Sequence, residues 1–380
     1  MKPCRILFLF SDTGGGHRSA AEAIIEAFNL EYGSVVSAEM VDVFKQYAPR
    51  PINQAPEWYP VIVRMPELWG LGYRLSNGRR RVGLINASLW PYVRRSMRRL
   101  INQHPSDLIV SVHPLVNTAM LRAMRPDHAP YAVVVTDLVT THAFWYNANA
   151  DLTIVPTEDA RQQALGFGVP AEKLRVVGLP VADRCCQPVR DKVELRREMG
   201  WREDRPLVLL VGGGDGMGPL EQTAHAISRA DLPISLVIVA GRNEKLKARL
   251  EAQDWSIPTH IFGFTRQMAH FMQAADVLVT KAGPGTISEA LNAGLPMILY
   301  SHLPGQEDGN LSYVTANGAG VHAPRPDLIV DALQKWIKKP EEHARATEAC
   351  RNLARPQAAR QITHVLVDLC QKNRSGSGRI

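Results

Sequence analysis

Residues 280–310, TKAGPGTISEALNAGLPMILYSHLPGQEDGN, continue the apolar strand Val277–Val279 into a glycine-rich turn, a short helix, a second apolar strand at Met297–Tyr300 and the polar turn Pro304-Gly305-Gln306-Glu307. Strand, tight turn and helix in this order are the repeating unit of a parallel α/β sheet. Gly283 and Gly285 let a ligand come close to the backbone. The pattern predicts a helix from near Thr286, whose unpaired N–H groups can hold a phosphate without a metal ion. Glu289 is expected in its first turn, where a carboxylate suits the helix dipole and can accept hydrogen bonds from sugar hydroxyls. Gln306, Glu307 and Asn310 add polar groups nearby. Phosphate donors beside hydroxyl acceptors imply a nucleotide-sugar site. Such turns are also common in α/β proteins, and Glu289 could serve only its helix.

The same unit opens each half of the chain. Arg5–Phe10 is an apolar strand, residues 11–18 read SDTGGGHR, and Ala20, Ile24, Ala27 and Phe28 follow at helical spacing. The loop is not G-x-G-x-x-G, so it carries no dinucleotide fingerprint. Gly15 and Gly16 lead into His17, either a turn-bonding histidine or a general base with a pKa near neutrality. In the second half, strand Leu207–Val211 runs into Gly212–Gly218, which contains Gly213 and Gly214. Further strands are expected at 35–43, 107–112, 131–136, 152–155, 174–178, 235–240 and 260–263. Residues 136–146, TDLVTTHAFWY, place Asp137, His142 and Trp145 at a strand's carboxyl end, where open α/β sheets bind ligands. The predicted fold is α/β: two Rossmann-like domains facing across a cleft. Their expected bounds are 1–185 and 186–355, with a C-terminal helix and basic tail over 356–380.

Size and composition are ordinary for a soluble globular protein. The chain has 380 residues, 45% of them hydrophobic and 21% charged, enough for two or three domains. Five cysteines, at 4, 185, 186, 350 and 370, show no metal-ligand spacing, and they are expected to be inert thiols in a reducing compartment. There is no HExxH or DxD motif, so neither a metal nor another cofactor is expected. Lys2–Phe10 holds too short an apolar run for a secretion signal, and no run approaches the ~20 residues of a membrane span. The expected location is cytoplasmic, peripheral on the cytoplasmic membrane face.

The net charge of +7 implies an anionic partner. Between Arg64 and Arg99 stand nine arginines and one acidic residue, Glu67, interleaved with Trp69, Tyr73, Trp90 and Tyr92. Cations for anionic headgroups together with interfacial aromatics suit a membrane surface. A solvated basic helix and a nucleic-acid face are the alternatives; the accompanying leucines and isoleucines favour anionic lipids over nucleic acid. The proline-rich residues 49–66 are expected to form a loop.

Taken in order, SDTGGGHRSAAEAI, DLIVSVHP, VVVTDL, GGGDGMGP, KAGPGTISEAL and GLPMILYSHLPGQEDGN resemble the monogalactosyldiacylglycerol synthases and the related processive diacylglycerol glycosyltransferases of bacteria. The resemblance spans about residues 5–355. It implies the GT-B fold and an inverting transfer of a hexose, galactose or glucose, from a UDP-sugar to the sn-3 hydroxyl of diacylglycerol. It further implies His17 as the base, Glu289 on the donor ribose, and Gln306, Glu307 and Asn310 on the donor sugar. Lys281, Gly283, Gly285 and Thr286 would form the phosphate loop, and Trp145 would lie near the acceptor. Asp137 could orient His17 or be the base itself. Where family members carry CHPTWF this chain has Thr141–Tyr146, THAFWY, beside the expected acceptor site. Plant members carry a transit segment that is not found here, so a bacterial source is expected. A polyprenyl-diphosphate acceptor, a UDP-sugar epimerase and a non-catalytic UDP-sugar sensor are the competing readings.

Overall fold

A computed structural model of the chain describes residues 3–13, 15–63, 65–124, 129–214, 216 and 218–376. Gly14 of the first glycine loop, Asp215 and Met217 of the second, Arg64 of the basic segment and the last four residues of the tail lie outside the described residues. The chain forms two compact units. One takes the chain up to Asp183, Leu303–Gln306 and the chain from Gln357 onward; the other takes Arg184–His302 and Glu307–Pro356.

The first unit is built on six parallel strands: β1 (Cys4–Phe10), β2 (Val36–Asp42), β3 (Leu108–Ser111), β4 (Tyr131–Val134), β5 (Leu152–Val155) and β6 (Leu174–Val176), in the order β2-β1-β3-β4-β5-β6. Successive residues of β1 point to opposite faces, and each face has its own core. Leu7 and Leu9 pack with Leu100, Met120 and Trp145. Ile6, Phe8 and Phe10 pack with Ile24 and Phe28 of the Gly16–Tyr32 helix and with Ile362 and Leu366 of the Ala358–Gly376 helix. Burial on both faces is why β1 reads as a continuous apolar run.

The second unit repeats the plan with β7 (Leu207–Val211), β8 (Ser235–Val239), β9 (Thr259–Phe262), β10 (Val277–Lys281), β11 (Met297–Ser301) and β12 (Gly320–His322), in the order β12-β11-β10-β7-β8-β9. In each sheet the order reverses beside the first strand, between β1 and β3 and between β7 and β10. Both glycine loops leave the carboxyl end of a strand at such a switch point, where α/β sheets bind ligands.

Three expectations are corrected. Residues 49–66 are not a loop: a helix covers Ala55–Ile62 and another begins at Pro66. Pro56 and Pro66 stand in first helical turns, where a missing N–H leaves no hydrogen bond unmade. The helix of the 280–310 segment begins at Pro284 for the same reason, so Thr286 is its third residue and Glu289 lies beyond the first turn. The dipole therefore does not account for Glu289. Finally, Cys4 and Cys370 are not thiols; they form a disulfide that ties β1 to the C-terminal helix, while Cys185, Cys186 and Cys350 are outside any disulfide.

Candidate active site

In the first unit, the Gly16–Tyr32 helix starts directly after Gly15, whose φ of 77° turns the chain out of the loop. Cβ atoms added at Gly15 or Gly16 would meet nothing within 4 Å, so this corner is open. His17, half-buried, sets its Nδ1 2.8 Å from the Thr136 hydroxyl oxygen, just beyond β4. Burial pushes its pKa down to about 4, opposed by a hydrogen bond to the Val112 backbone. The ring is therefore neutral at physiological pH, as a proton acceptor must be. His113, 2% exposed, lies edge-on to it with ring centroids 4.6 Å apart and its Nε2 3.0 Å from the Thr13 hydroxyl. Burial first, and His17 second, hold the His113 pKa well below the ordinary value. Its Nδ1 is buried without a partner among the described residues.

Asp137 is buried. Its Oδ2 accepts from the Trp145 indole N–H at 2.6 Å and its Oδ1 from Gln306 Nε2 at 3.0 Å. Trp145 is fully buried, 5.9 Å from the His17 ring centroid. Its carbonyl accepts from Asn117, whose amide oxygen accepts from the Tyr131 hydroxyl. This chain of buried bonds fixes the floor beneath His17. The Gln306 amide oxygen, Oε1, is buried and without a partner among the described residues.

His142 is held through both ring nitrogens. Its Nδ1 accepts from the Phe144 N–H at 3.2 Å, so Nε2 carries the proton and donates to Ser76 at 3.1 Å. Burial lowers its pKa to about 4, with a Tyr73 backbone bond opposing. Tyr73 and Gly70 also pack on the 304–305 turn: a Cβ at Gly70 would come within 2.7 Å of Pro304, and one at Gly305 within 2.9 Å of the Tyr73 ring. The Pro66–Ser76 helix therefore docks through Gly70, Tyr73 and Ser76.

In the second unit, Lys281 ends β10 and extends its side chain to Glu307, Nζ to Oε1 2.8 Å. Gly283 caps the Pro284–Asn292 helix, and Gly285 is open, with nothing within 4 Å of an added Cβ. Gly213 lies against the Lys281 stem, and Gly214 lies 3.5 Å from Arg242 by its added Cβ. Asn310 Nδ2 donates to the Ala282 carbonyl at 3.0 Å, leaving its Oδ1 buried and without a partner among the described residues. Buried polar atoms without partners mark places where a ligand's hydroxyls can bond. Burial pushes the Glu289 carboxyl up to about 7, against the Arg184 charge and a Cys185 thiol hydrogen bond. Among the described residues no three His, Cys, Asp or Glu side chains cluster as metal ligands.

Thr136 and His113 were not singled out in the sequence. Both stand just past the carboxyl ends of strands adjacent in the sheet, in the quoted segments VVVTDL and DLIVSVHP. That shared position is the signal that would have found them.

A family model described as monogalactosyldiacylglycerol (MGDG) synthase matches residues 17–181, and one described as glycosyltransferase family 28 C-terminal domain matches residues 207–362. Monogalactosyldiacylglycerol synthase 1, chloroplastic, from Arabidopsis thaliana is 37% identical over 386 residues, covering 98% of this chain and 72% of its own length. The chain belongs to the monogalactosyldiacylglycerol synthase family. It is a glycosyltransferase, as the family and both matched domains require. Among solved structures, Acinetobacter baumannii MurG aligns with a TM-score of 0.62 at 15% identity, covering 96% of this chain and all of its own. CalG4, the calicheamicin glycosyltransferase, aligns with a TM-score of 0.60 at 15% identity, covering 98% of this chain and 99% of its own. At that identity they speak for the fold alone, which is GT-B with two Rossmann-like units.

Proposed function

We propose that this chain transfers galactose from UDP-galactose to the sn-3 hydroxyl of 1,2-diacylglycerol, in one inverting displacement at an anionic membrane surface. The observation that supports this reading is the match of 97–98% of this chain to monogalactosyldiacylglycerol synthases. In the proposed step, the acceptor oxygen bonds to the anomeric carbon as the bond from that carbon to the diphosphate oxygen breaks. The hydroxyl proton passes to the His17 nitrogen not bonded to Thr136. The electron pair of the broken bond stays on UDP, where the helix N-terminus at Gly285–Thr286 and the Lys281 ammonium stabilise it. Glu289 takes the ribose, and Asn310 and Gln306 offer unpartnered oxygens to sugar hydroxyls.

Incubation of the protein with diacylglycerol liposomes and each UDP-hexose tests the reading, with the product identified. Monogalactosyldiacylglycerol is expected. A glucolipid as the main product would overturn the donor assignment; product only from a polyprenyl diphosphate would overturn the acceptor. UDP-galactose binding with no product from any acceptor would favour a sensor. Turnover is expected to persist in EDTA, because the scheme uses no divalent ion; complete loss, restored by magnesium, would contradict it.

Glu289→Ala is expected to weaken UDP and UDP-galactose alike, since the lost bonds are to ribose. The carboxyl near pKa 7 adds a pH test. Its folded value lies above the unfolded one, so its contribution to stability is full below about pH 4.5 and is lost as pH rises through about 7. Glu289→Gln should flatten that part of the thermal-stability profile of the ligand-free protein. An unchanged profile would show that the carboxyl is not buried as described.

A further inference from the structure

Lys281 occupies a place the sheet is distorted to provide. Between Thr280 and Lys281 the register of β10 on β11 shifts: Thr280 pairs with Leu299 but Lys281 with Ser301. Such a bulge re-aims the side chain that follows it. The re-aimed stem runs past two residues that leave room for it. A Cβ at Gly213 would lie 3.4 Å from Lys281 Cε, and one at Gly283 would lie 3.1 Å from Nζ. At its end the ammonium meets the Glu307 carboxylate at 2.8 Å, with the two side chains 22% and 4% exposed. A carboxylate this buried is stable only when paired. Bulge, slot and buried partner together specify one position for one positive charge, beside the N-terminus of the Pro284–Asn292 helix.

We infer that Glu307 is a positioning residue for Lys281: its carboxylate holds the ammonium in the slot between Gly213 and Gly283, as a fixed cation for the leaving diphosphate. The inference rests on the proposal that this loop binds the donor diphosphate. It changes the expected part played by Glu307 from a ligand of sugar hydroxyls alone to the counter-ion of the group that stabilises departure. No proton moves in this role. A cation already in place stabilises developing charge without reorganisation at the moment of reaction.

Four proteins test it: the unaltered chain, Glu307→Gln, Lys281→Met and the double variant. Each is assayed for UDP affinity by calorimetry and for kcat and KM with UDP-galactose and diacylglycerol. Glu307→Gln keeps the shape and loses the charge, so it should weaken UDP and lower kcat by about tenfold or more, within the range for one misplaced stabilising group. The double variant should be no worse than Lys281→Met, because the two residues act as one unit. The inference is overturned if Glu307→Gln binds UDP normally and is impaired only with UDP-galactose, or if the two losses multiply. The double variant, which removes both charges, separates this coupling from loss of folding caused by one orphaned charge. If Lys281→Met binds UDP and turns over normally, the diphosphate reading of the loop fails first, a result distinct from failure of the Glu307 role alone.

Discussion

His17→Ala is expected to lower turnover by two or more orders of magnitude while UDP binding stays intact. A positioned general base contributes typically about 10²–10⁴-fold, and the residues proposed for the diphosphate and ribose, Lys281, Gly285, Thr286 and Glu289, lie in the other unit. The direction of the pKa shift sharpens the expectation. Burial holds the ring near pKa 4, so any acid limb of kcat/KM due to His17 should fall well below the ordinary histidine value of 6.5. The tautomer that leaves the far nitrogen basic carries its proton on Nδ1 and donates to the Thr136 oxygen. Thr136→Val should therefore lower kcat by about tenfold with little change in KM, a loss on the scale of one charge-stabilising bond. Near-normal turnover in His17→Ala would remove the base from this residue and direct attention to Asp137.

The fold was legible where period and punctuation agree. β1, β7, β10 and β11 are apolar runs closed by glycine or polar turns, and each stands within a residue or two of its expected place. β12 does not stand out in the sequence, because Gly320–His322 has one apolar side chain between a glycine and a histidine. The Ala55–Ile62 helix departs from the loop that its prolines predict, because Pro56 occupies a first turn. The Cys4–Cys370 bond spans 366 positions of sequence, and nothing local to either cysteine announces it.

Candidate residues on glycine loops are legible in the sequence; the side chains they contact are not. His17, Lys281 and Glu289 sit in motifs with distinctive neighbours. Thr136 next to His17, and Glu307 on Lys281, are contacts across 119 and 26 positions, set by strand order rather than by spacing. The side chains of the basic segment show the same limit. A run with Trp69, Tyr73 and Trp90 suggests aromatics directed at a membrane, but which face of a helix docks depends on what lies beneath it. Trp69 sets its ring edge-on to Tyr59 with a buried indole nitrogen, Tyr73 packs on Gly305, and Trp90 lies under the Arg122 guanidinium. The aromatics hold the helices in place, and the leucines are left outside.

Those leucines carry the second large effect. Leu68, Leu71 and Leu75 are 57%, 50% and 62% exposed along the Pro66–Ser76 helix, at the i, i+3, i+7 spacing of one stripe. Trp58, Val61, Ile62 and Met65 are exposed at the same spacing just before it. Contiguous apolar surface of this kind marks an interaction site, and exposed Arg80, Arg94, Arg95, Arg98 and Arg99 follow on the next helix. No helix among the described residues is long and apolar enough to cross a membrane, whereas diacylglycerol stays in the bilayer. Replacing Leu68, Leu71 and Leu75 together by Ser is therefore expected to abolish most liposome binding: at about 1.5 kcal/mol per leucine the loss is near 10³ in partition. Activity on liposomes should fall accordingly, while activity on short-chain diacylglycerol dispersed in detergent changes little. Arginines near an anionic surface add about 1 kcal/mol each, so binding should also weaken with salt. Replacing Arg79, Arg80 and Arg81 would be a poorer test, because Arg79 packs on Gly168 and Arg81 bonds the Arg74 and Asn77 carbonyls. Arg80 with Arg94 and Arg95 is the better set. Equal losses in the liposome and detergent assays would mean that the stripe supports the fold, and membrane docking through this helix would have to be abandoned.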